Sequence, residues 1–178
     1  MKFVYFFLPI LALFAQCCSE SVHINAAHKV MNSFNKKMKK DKLHLFSSGG
    51  AMMDDIQQIT LGYEAYKNLN VSDARILFIK KIEALLSEIN SDLEIRPYLH
   101  DYPFTSRNIF FKISFCKDNG EFVDPPYIAY VSLINIKNRV YYSVYDQRTD
   151  MLKTVYEESY EEALKIYHET LGHQSKIL

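Results

Sequence analysis

The sequence contains few of the residues that mark special architectures. Five glycines and five prolines among 178 residues exclude a collagen-like chain and one dominated by linkers. Three cysteines, two of them adjacent, are too few for a disulfide scaffold. A formal net charge of zero gives no support for nucleic-acid binding. The hydrophobic share of 48% excludes a disordered polar chain, and the length predicts one domain that buries its own core.

The charges are unevenly distributed along the chain. Residues 1–42 contain seven lysines against Glu20 and Asp41, a balance of +5, whereas residues 43–178 contain 14 basic and 19 acidic side chains, a balance of −5. Such an asymmetry is typical of a basic arm attached to a neutral or acidic body.

The first residues have the pattern of a secretory signal peptide. Lys2 precedes the uncharged segment 3–15, which only Pro9 interrupts. As a helix these thirteen residues would rise about 20 Å, which is too short for the roughly 30 Å core of a bilayer. We therefore predict that residues 1–17 direct export and are removed.

Cys17 and Cys18 follow this apolar segment directly. The arrangement resembles the lipobox of bacterial lipoproteins, whose cysteine is acylated and begins the mature chain. Residues 14–16 depart from the family pattern for an acceptor at Cys17, whereas Ala15 places a small residue suitably for an acceptor at Cys18, so both cysteines are candidates. Neither Cys18 nor Ser19 is the aspartate associated with inner-membrane retention. The resemblance thus implies a lipid-anchored protein of the outer membrane or periplasm, and plain secretion is the alternative.

Residues 18–52 are predicted to form a basic arm. Val22–Lys40 has apolar residues at helical spacing and lysines on the other side, which predicts an amphipathic helix. Residues 41–51 include Ser47-Ser48-Gly49-Gly50 and are expected to connect the arm flexibly to the body. Near a lipid anchor, basic residues are attracted to anionic headgroups, and a solvated helix face is the alternative. The predicted membrane-proximal residues are Lys36, Lys37, Lys39, Lys40 and Lys42.

Residues 53–178 predict an α+β domain with an antiparallel sheet of about five strands and helices on one face. Alternation marks strands near 59–66, 109–115, 127–134, 140–145 and 151–156. Asn70 caps a long helix, and Ser159 with Glu162 forms a capping box for a last helix. Together with the lipobox, segments 90–99 and 158–163 look like small uncharacterised bacterial lipoproteins.

Tyrosine is the unusual component of the predicted strands. By alternation, four tyrosines are expected on one sheet face, where they would suit a recognition surface because the ring combines apolar area with a polar tip. The alternative is that tyrosine simply favours strands. His100, in the proline-containing loop 91–107, is added because functional residues concentrate in loops. The predicted binding residues are Tyr130, Tyr141, Tyr145, Tyr156 and His100.

Motifs for catalysis or metal binding are missing. His168 and His173 are five apart, whereas a zinc-protease helix needs histidines four apart. The pair His100-Asp101 has no nucleophile in a recognisable context. We predict no catalytic residue, metal or cofactor, and an exported binding module with a membrane contact through its N-terminal lipid, a possible protein partner and no nucleic acid. The alternative is a small periplasmic enzyme or ligand carrier with a pocket between sheet and helix.

Overall fold

The computed structural model describes residues 21–174. The predicted signal segment and the candidate acylation sites Cys17 and Cys18 lie outside the described residues. The secondary-structure elements are α1 (Val22–Lys40), β1 (His44–Ala51), β2 (Gln58–Ala65), α2 (Val71–Ser91), two short 3-10 turns (Arg96–Tyr98 and Ser106–Asn108), β3 (Ile109–Phe115), β4 (Tyr130–Ile134), β5 (Arg139–Asp146), β6 (Met151–Ser159) and α3 (Tyr160–Gln174).

The strands form one sheet in the order in which they occur along the chain, β1 to β6. Every neighbouring pair is antiparallel except β2 and β3, which are parallel. The exception follows from α2, because a helix between two adjacent strands returns the chain to the starting end of the sheet. The fold class is α+β, as predicted.

The core lies between one face of the sheet, here called the inner face, and the helices. On β3 the residues alternate between buried and half-buried from end to end, so Phe111 faces the helices and Lys112 faces away. Phe78 of α2 and Tyr63 of β2 lie against Phe111, with ring centroids 5.5 and 5.6 Å apart. Burying aromatic side chains of this size is the main favourable term for the fold.

Helix α1 belongs to this core. Its residues Ala27, Val30, Met31, Phe34 and Met38 are buried, at the spacing of one helical stripe. The Tyr63 hydroxyl donates a hydrogen bond to Asn35 Oδ1, and Lys81 of α2 donates one to Asp41 directly after the helix. These contacts attach the basic segment to the sheet and to α2.

The segment expected to be a flexible connection contains β1. It pairs with β2 from His44↔Glu64 to Ala51↔Gln58, so the boundary predicted at residue 52 falls inside a hairpin. The alternation that signals a strand is weak here because β1 is at the sheet edge and most of its side chains are exposed. Of the helices described between residues 21 and 174, none is long and apolar enough to cross a bilayer.

Both predicted helix starts are confirmed. The Asn70 side chain accepts a hydrogen bond from the Asp73 backbone N–H at 2.9 Å. Ser159 and Glu162 form the reciprocal contacts of a capping box, at 3.1 and 2.8 Å. These bonds satisfy N–H groups that the first turn of a helix leaves without a partner.

Candidate functional site

A cleft of about 710 Å³ opens on the outer face of the sheet, the face away from the helices, at the end where β5 turns into β6. Its volume falls in the range of small-ligand sites. One wall is the loop that follows β3, and the other is the β5–β6 turn with the first residues of β6. The residues that line the cleft include Lys117, Glu121, Phe122, Tyr145, Asp150, Met151 and Leu152.

Local hydrogen bonds shape the first wall. After β3 the chain turns back on itself, and Cys116 forms an isolated bridge with Phe122. The Lys117 N–H donates to the Glu121 carbonyl at 2.7 Å, and Gly120 occupies a φ of +84° that glycine adopts without strain. This tight turn presents Phe122 and Glu121 on the same side as Tyr145.

An aromatic pair lines the cleft. The rings of Phe122 and Tyr145 have centroids 5.4 Å apart and planes inclined by 42°. Met151 and Leu152, which begin β6, add apolar surface on the opposite wall. Aromatic and aliphatic walls with a few polar groups are typical of sites that accept a ring or an apolar side chain.

The polar groups of the cleft are paired with one another. Lys117 Nζ lies 2.9 Å from Asp124 Oδ1 and 3.7 Å from Glu121 Oε2, and the bond to Asp124 raises the pKa of this lysine. The Tyr145 hydroxyl donates to Asp150, which raises the pKa of the tyrosine. The cleft therefore presents charges of both signs around an apolar centre.

A second cavity, of about 540 Å³, lies on the inner side of the same turn. Val144 and Lys153, which are register partners, line it together with Asp124 and Arg148. Tyr145 borders both cavities. The first residues of β6 thus lie between two concave surfaces.

Strand β6 is an open edge of the sheet. Seven of its nine residues are exposed, from Met151 to Glu157. Met151 and Val155 are 65% and 50% exposed, and Leu152 and Tyr156 are also exposed apolar residues of this strand. The edge exposes backbone groups that pair with no strand of the described sheet, which makes it a template for pairing with another chain.

The structure places three of the four predicted tyrosines on the outer face. Tyr130 is the register partner of Ser143, and Tyr141 is the register partner of Ser132. Tyr145 lies two residues beyond Ser143 on the same face and reaches the cleft. Burial raises the pKa of Tyr130, which is half-buried among its neighbours.

Tyr156 lies on the inner face instead. The register shifts between the pairs Tyr142↔Tyr156 and Ser143↔Thr154, so Val155 is a bulge that reverses the alternation of β6. The ring of Tyr156 is 5.8 Å from that of Tyr142, and the Arg75 guanidinium of α2 lies 5.5 Å from its centroid. A bulge leaves no reliable sign in one sequence, so alternation alone assigned this tyrosine to the other face.

His100 lies apart from the tyrosines. It pairs with Asp55, Nδ1 to Oδ2 at 2.6 Å, beside the bridge between Ile56 and Leu99. That bridge adjoins the start of β2, whereas the cleft adjoins the opposite end of the sheet. Asp101, its sequence neighbour, accepts a hydrogen bond from Asn108 at 2.9 Å instead. His100 and the cleft are therefore separate places on the molecule.

The cleft residues Lys117, Glu121, Phe122 and Asp150 are absent from the sequence prediction. The signal that points to them is topological. In a meander the turn after β3 and the turn after β5 lie at the same end of the sheet, so their side chains converge. Asp118-Asn119-Gly120 and the turn near Asp150 both consist of turn-forming residue types, but their adjacency depends on the strand order.

Comparison with known proteins adds no relative: the chain matches no protein-family model, no curated protein and no solved structure. Among residues 21–174, no three histidine, cysteine or acidic side chains are grouped as a metal site requires.

Proposed function

We propose that the protein is an exported envelope protein, anchored by a lipid at Cys17 or Cys18, that binds an extended segment of a partner protein. The observation that carries the binding proposal is the adjacency of the cleft to the open edge of β6. In this proposal α1 and β1 belong to the folded body, and the six-stranded sheet is the binding scaffold.

Edge strands bind peptides by adding a strand, with backbone hydrogen bonds for affinity and pockets for specificity. Residues 151–154 of β6 lie before the bulge at Val155 and form the regular part of the edge. Met151 and Leu152 in this part also line the cleft. A peptide paired there would place one side chain over the rings of Phe122 and Tyr145.

The charges of the cleft favour a peptide with a polar group beside its apolar anchor. Glu121 has a side chain that is 68% exposed, and its carboxylate is 3.7 Å from Lys117, so it remains available to a donor. We propose an aromatic or aliphatic anchor flanked by a basic or amide side chain. Tyr130 and Tyr141 extend the apolar surface across the outer face.

A site-specific photocrosslinker tests the binding proposal. Placed at Met151 in the exported chain, it is expected to give one discrete protein adduct whose mapped crosslink is an extended segment. Ile136, which is 86% exposed at the β4–β5 turn, is the matched control position and is expected to give none. Phe122→Ala should reduce the adduct at Met151. Equal adducts at both positions, or an adduct that Phe122→Ala leaves unchanged, would contradict the proposal.

Mass spectrometry of the mature N-terminus tests the anchor separately. An acylated cysteine at position 17 or 18 is the expected result. An unmodified terminus would refute the lipid anchor and favour secretion. The alternative of a small enzyme or carrier with a pocket between sheet and helix stays a prediction, and the cleft beside β6 is not such a pocket because it opens on the outer face.

A further inference from the structure

The exposed side of α1 is basic, and the helix has no acidic residue that would balance the charge of its lysines. The helix contains Lys29, Lys36, Lys37, Lys39 and Lys40 and no acidic residue. Lys29 and Lys37 reach carboxylates of the body, Glu94 and Glu88, at 2.5 and 2.9 Å. Within residues 21–174, Lys36, Lys39, Lys40 and Lys42 have no carboxylate at ion-pair distance.

A cleft of about 590 Å³ lies between the second half of α1 and the start of β1. Lys36 and Lys39 are three residues apart, so they lie on one side of the helix, and both line the cleft. Asn32, one turn earlier, and Asn35 add amide groups to the lining. His44 borders the cleft at the start of β1, but it is the register partner of Glu64 and its ring lies on the outer face, 5.7 Å from that of Tyr66. Two ammonium groups with neutral donors suit a phosphate group.

Apolar side chains border this basic cleft. Leu45 and Phe46 at the start of β1 are 42% and 51% exposed. Leu45 is the register partner of Tyr63 and so faces the helix side, where it lines the cleft, while the ring of Phe46 lies 5.1 Å from Lys112 Nζ on the outer face. Basic groups beside exposed apolar ones are typical of surfaces that lie at a membrane interface.

We infer that this edge, formed by the lysine side of α1 and the first residues of β1, docks on a membrane and binds the phosphate of an anionic phospholipid headgroup between Lys36 and Lys39. The inference rests on the proposed export to a membrane. The inference names the surface that contacts the membrane. Charge complementarity supports it, because Asp41 is the only acidic residue of the sequence 21–51 and its carboxylate is paired with Lys81, so the lysines of this edge face the anionic lipid without a competing charge from the same segment.

The arrangement of the sheet agrees with this orientation. Helix α1 begins at Val22, four or five residues after the candidate acyl cysteines, so a lipid there would hold its first turn near the bilayer. Strand β6 is five strand spacings from β1, roughly 24 Å. One edge of the sheet would therefore contact the membrane while the other faces a partner.

Vesicle flotation tests the inference with the purified full chain. Vesicles of phosphatidylcholine alone are compared with vesicles that also contain phosphatidylglycerol. An acyl chain or an apolar leader carries the protein to both kinds, so only the difference in affinity reports the headgroup site. We expect tighter binding to the anionic vesicles, weakened by added salt. The double variant Lys36→Gln, Lys39→Gln should bind anionic vesicles with an affinity about thirty-fold lower than that of the parent chain.

Lys137→Gln with Lys165→Gln is the matched control, because it removes the same charge from other parts of the surface. It should bind nearly as the parent chain does, and thermal unfolding should show that both double variants fold. Equal affinity for the two vesicle types, or equal losses in the two variants, would overturn the inference. The inference would also be overturned if soluble glycerol phosphate bound as tightly as vesicles do, because the ligand of the cleft would then be a free phosphate compound and not a lipid headgroup. The mass of the N-terminus is measured separately, so loss of the anchor proposal would be recognised on its own.

Discussion

Arg75 and Glu158 form an ion pair in the interior, with Nε and Oε1 2.7 Å apart and only 8% and 3% of the two residues exposed. The Tyr142 hydroxyl donates to the same carboxylate oxygen at 2.6 Å. This cluster joins α2 to the last two strands on the inner face. It is structural, because aromatic rings of Tyr142 and Tyr156 cover the guanidinium.

We predict that Glu158→Leu lowers the free energy of unfolding by about 3–5 kcal/mol, because it leaves the Arg75 charge buried without a partner. Adding Arg75→Met should recover most of that loss, since an apolar pair of similar volume replaces the ion pair. Urea unfolding followed by circular dichroism measures both.

The control is Glu157→Gln, which breaks a surface pair with Arg139 at 3.0 Å and should cost at most about 1 kcal/mol. If Glu158→Leu cost no more than this control, the interior pair would not hold α2 to the sheet.

The pKa of His100 is expected above its usual value of 6.5, because the imidazole donates to Asp55 and faces its charge. A raised pKa means that the pair stabilises the fold below the unfolded pKa and that this contribution is lost as pH rises through the folded pKa. Proton NMR titration of His100 measures the shift. Asp55→Asn should return the pKa toward 6.5, whereas Asp101→Asn should change it less, since Asp101 acts only at a distance. Equal effects of the two substitutions would contradict this assignment.

Cys116 is expected to react slowly with thiol reagents in the folded protein. It is a free thiol, 5% exposed, and burial, with a smaller contribution from Glu64, raises its pKa to about 12. Because the thiolate is the reactive form, labelling near pH 8 should be slow until urea is added. Mass spectrometry after labelling gives the number of modified thiols. Fast labelling of Cys116 in native protein would contradict the burial, and absence of labelling in urea without reductant would contradict the free thiol.

The sequence was most informative where local chemistry determines structure. The caps at Asn70 and Ser159 and the strict alternation of β3 were readable because each depends on residues within a few positions. The cleft was not readable, because Phe122 and Tyr145 come together only through strand order. The side of Tyr156 was also hidden, since one extra residue at Val155 exchanges the two faces of β6.

The glycines of β1 show why an edge strand was interpreted as a linker, and they give a further prediction. A Cβ added at Gly50 would lie 2.1 Å from the Gln58 carbonyl oxygen, whereas one at Gly49 would have no atom within 4 Å. Gly50 is thus required by the close approach of β2, and Gly49 is not.

We predict that Gly50→Ala lowers the free energy of unfolding by about 1–3 kcal/mol because the paired backbone must shift, while Gly49→Ala is neutral or stabilises by about 0.5 kcal/mol. Urea unfolding of the two variants measures this, and amide exchange of β1 locates it. If the two alanines had equal effects, β1 would not be held against β2 as described, and the interpretation of residues 41–51 as a connection would stand.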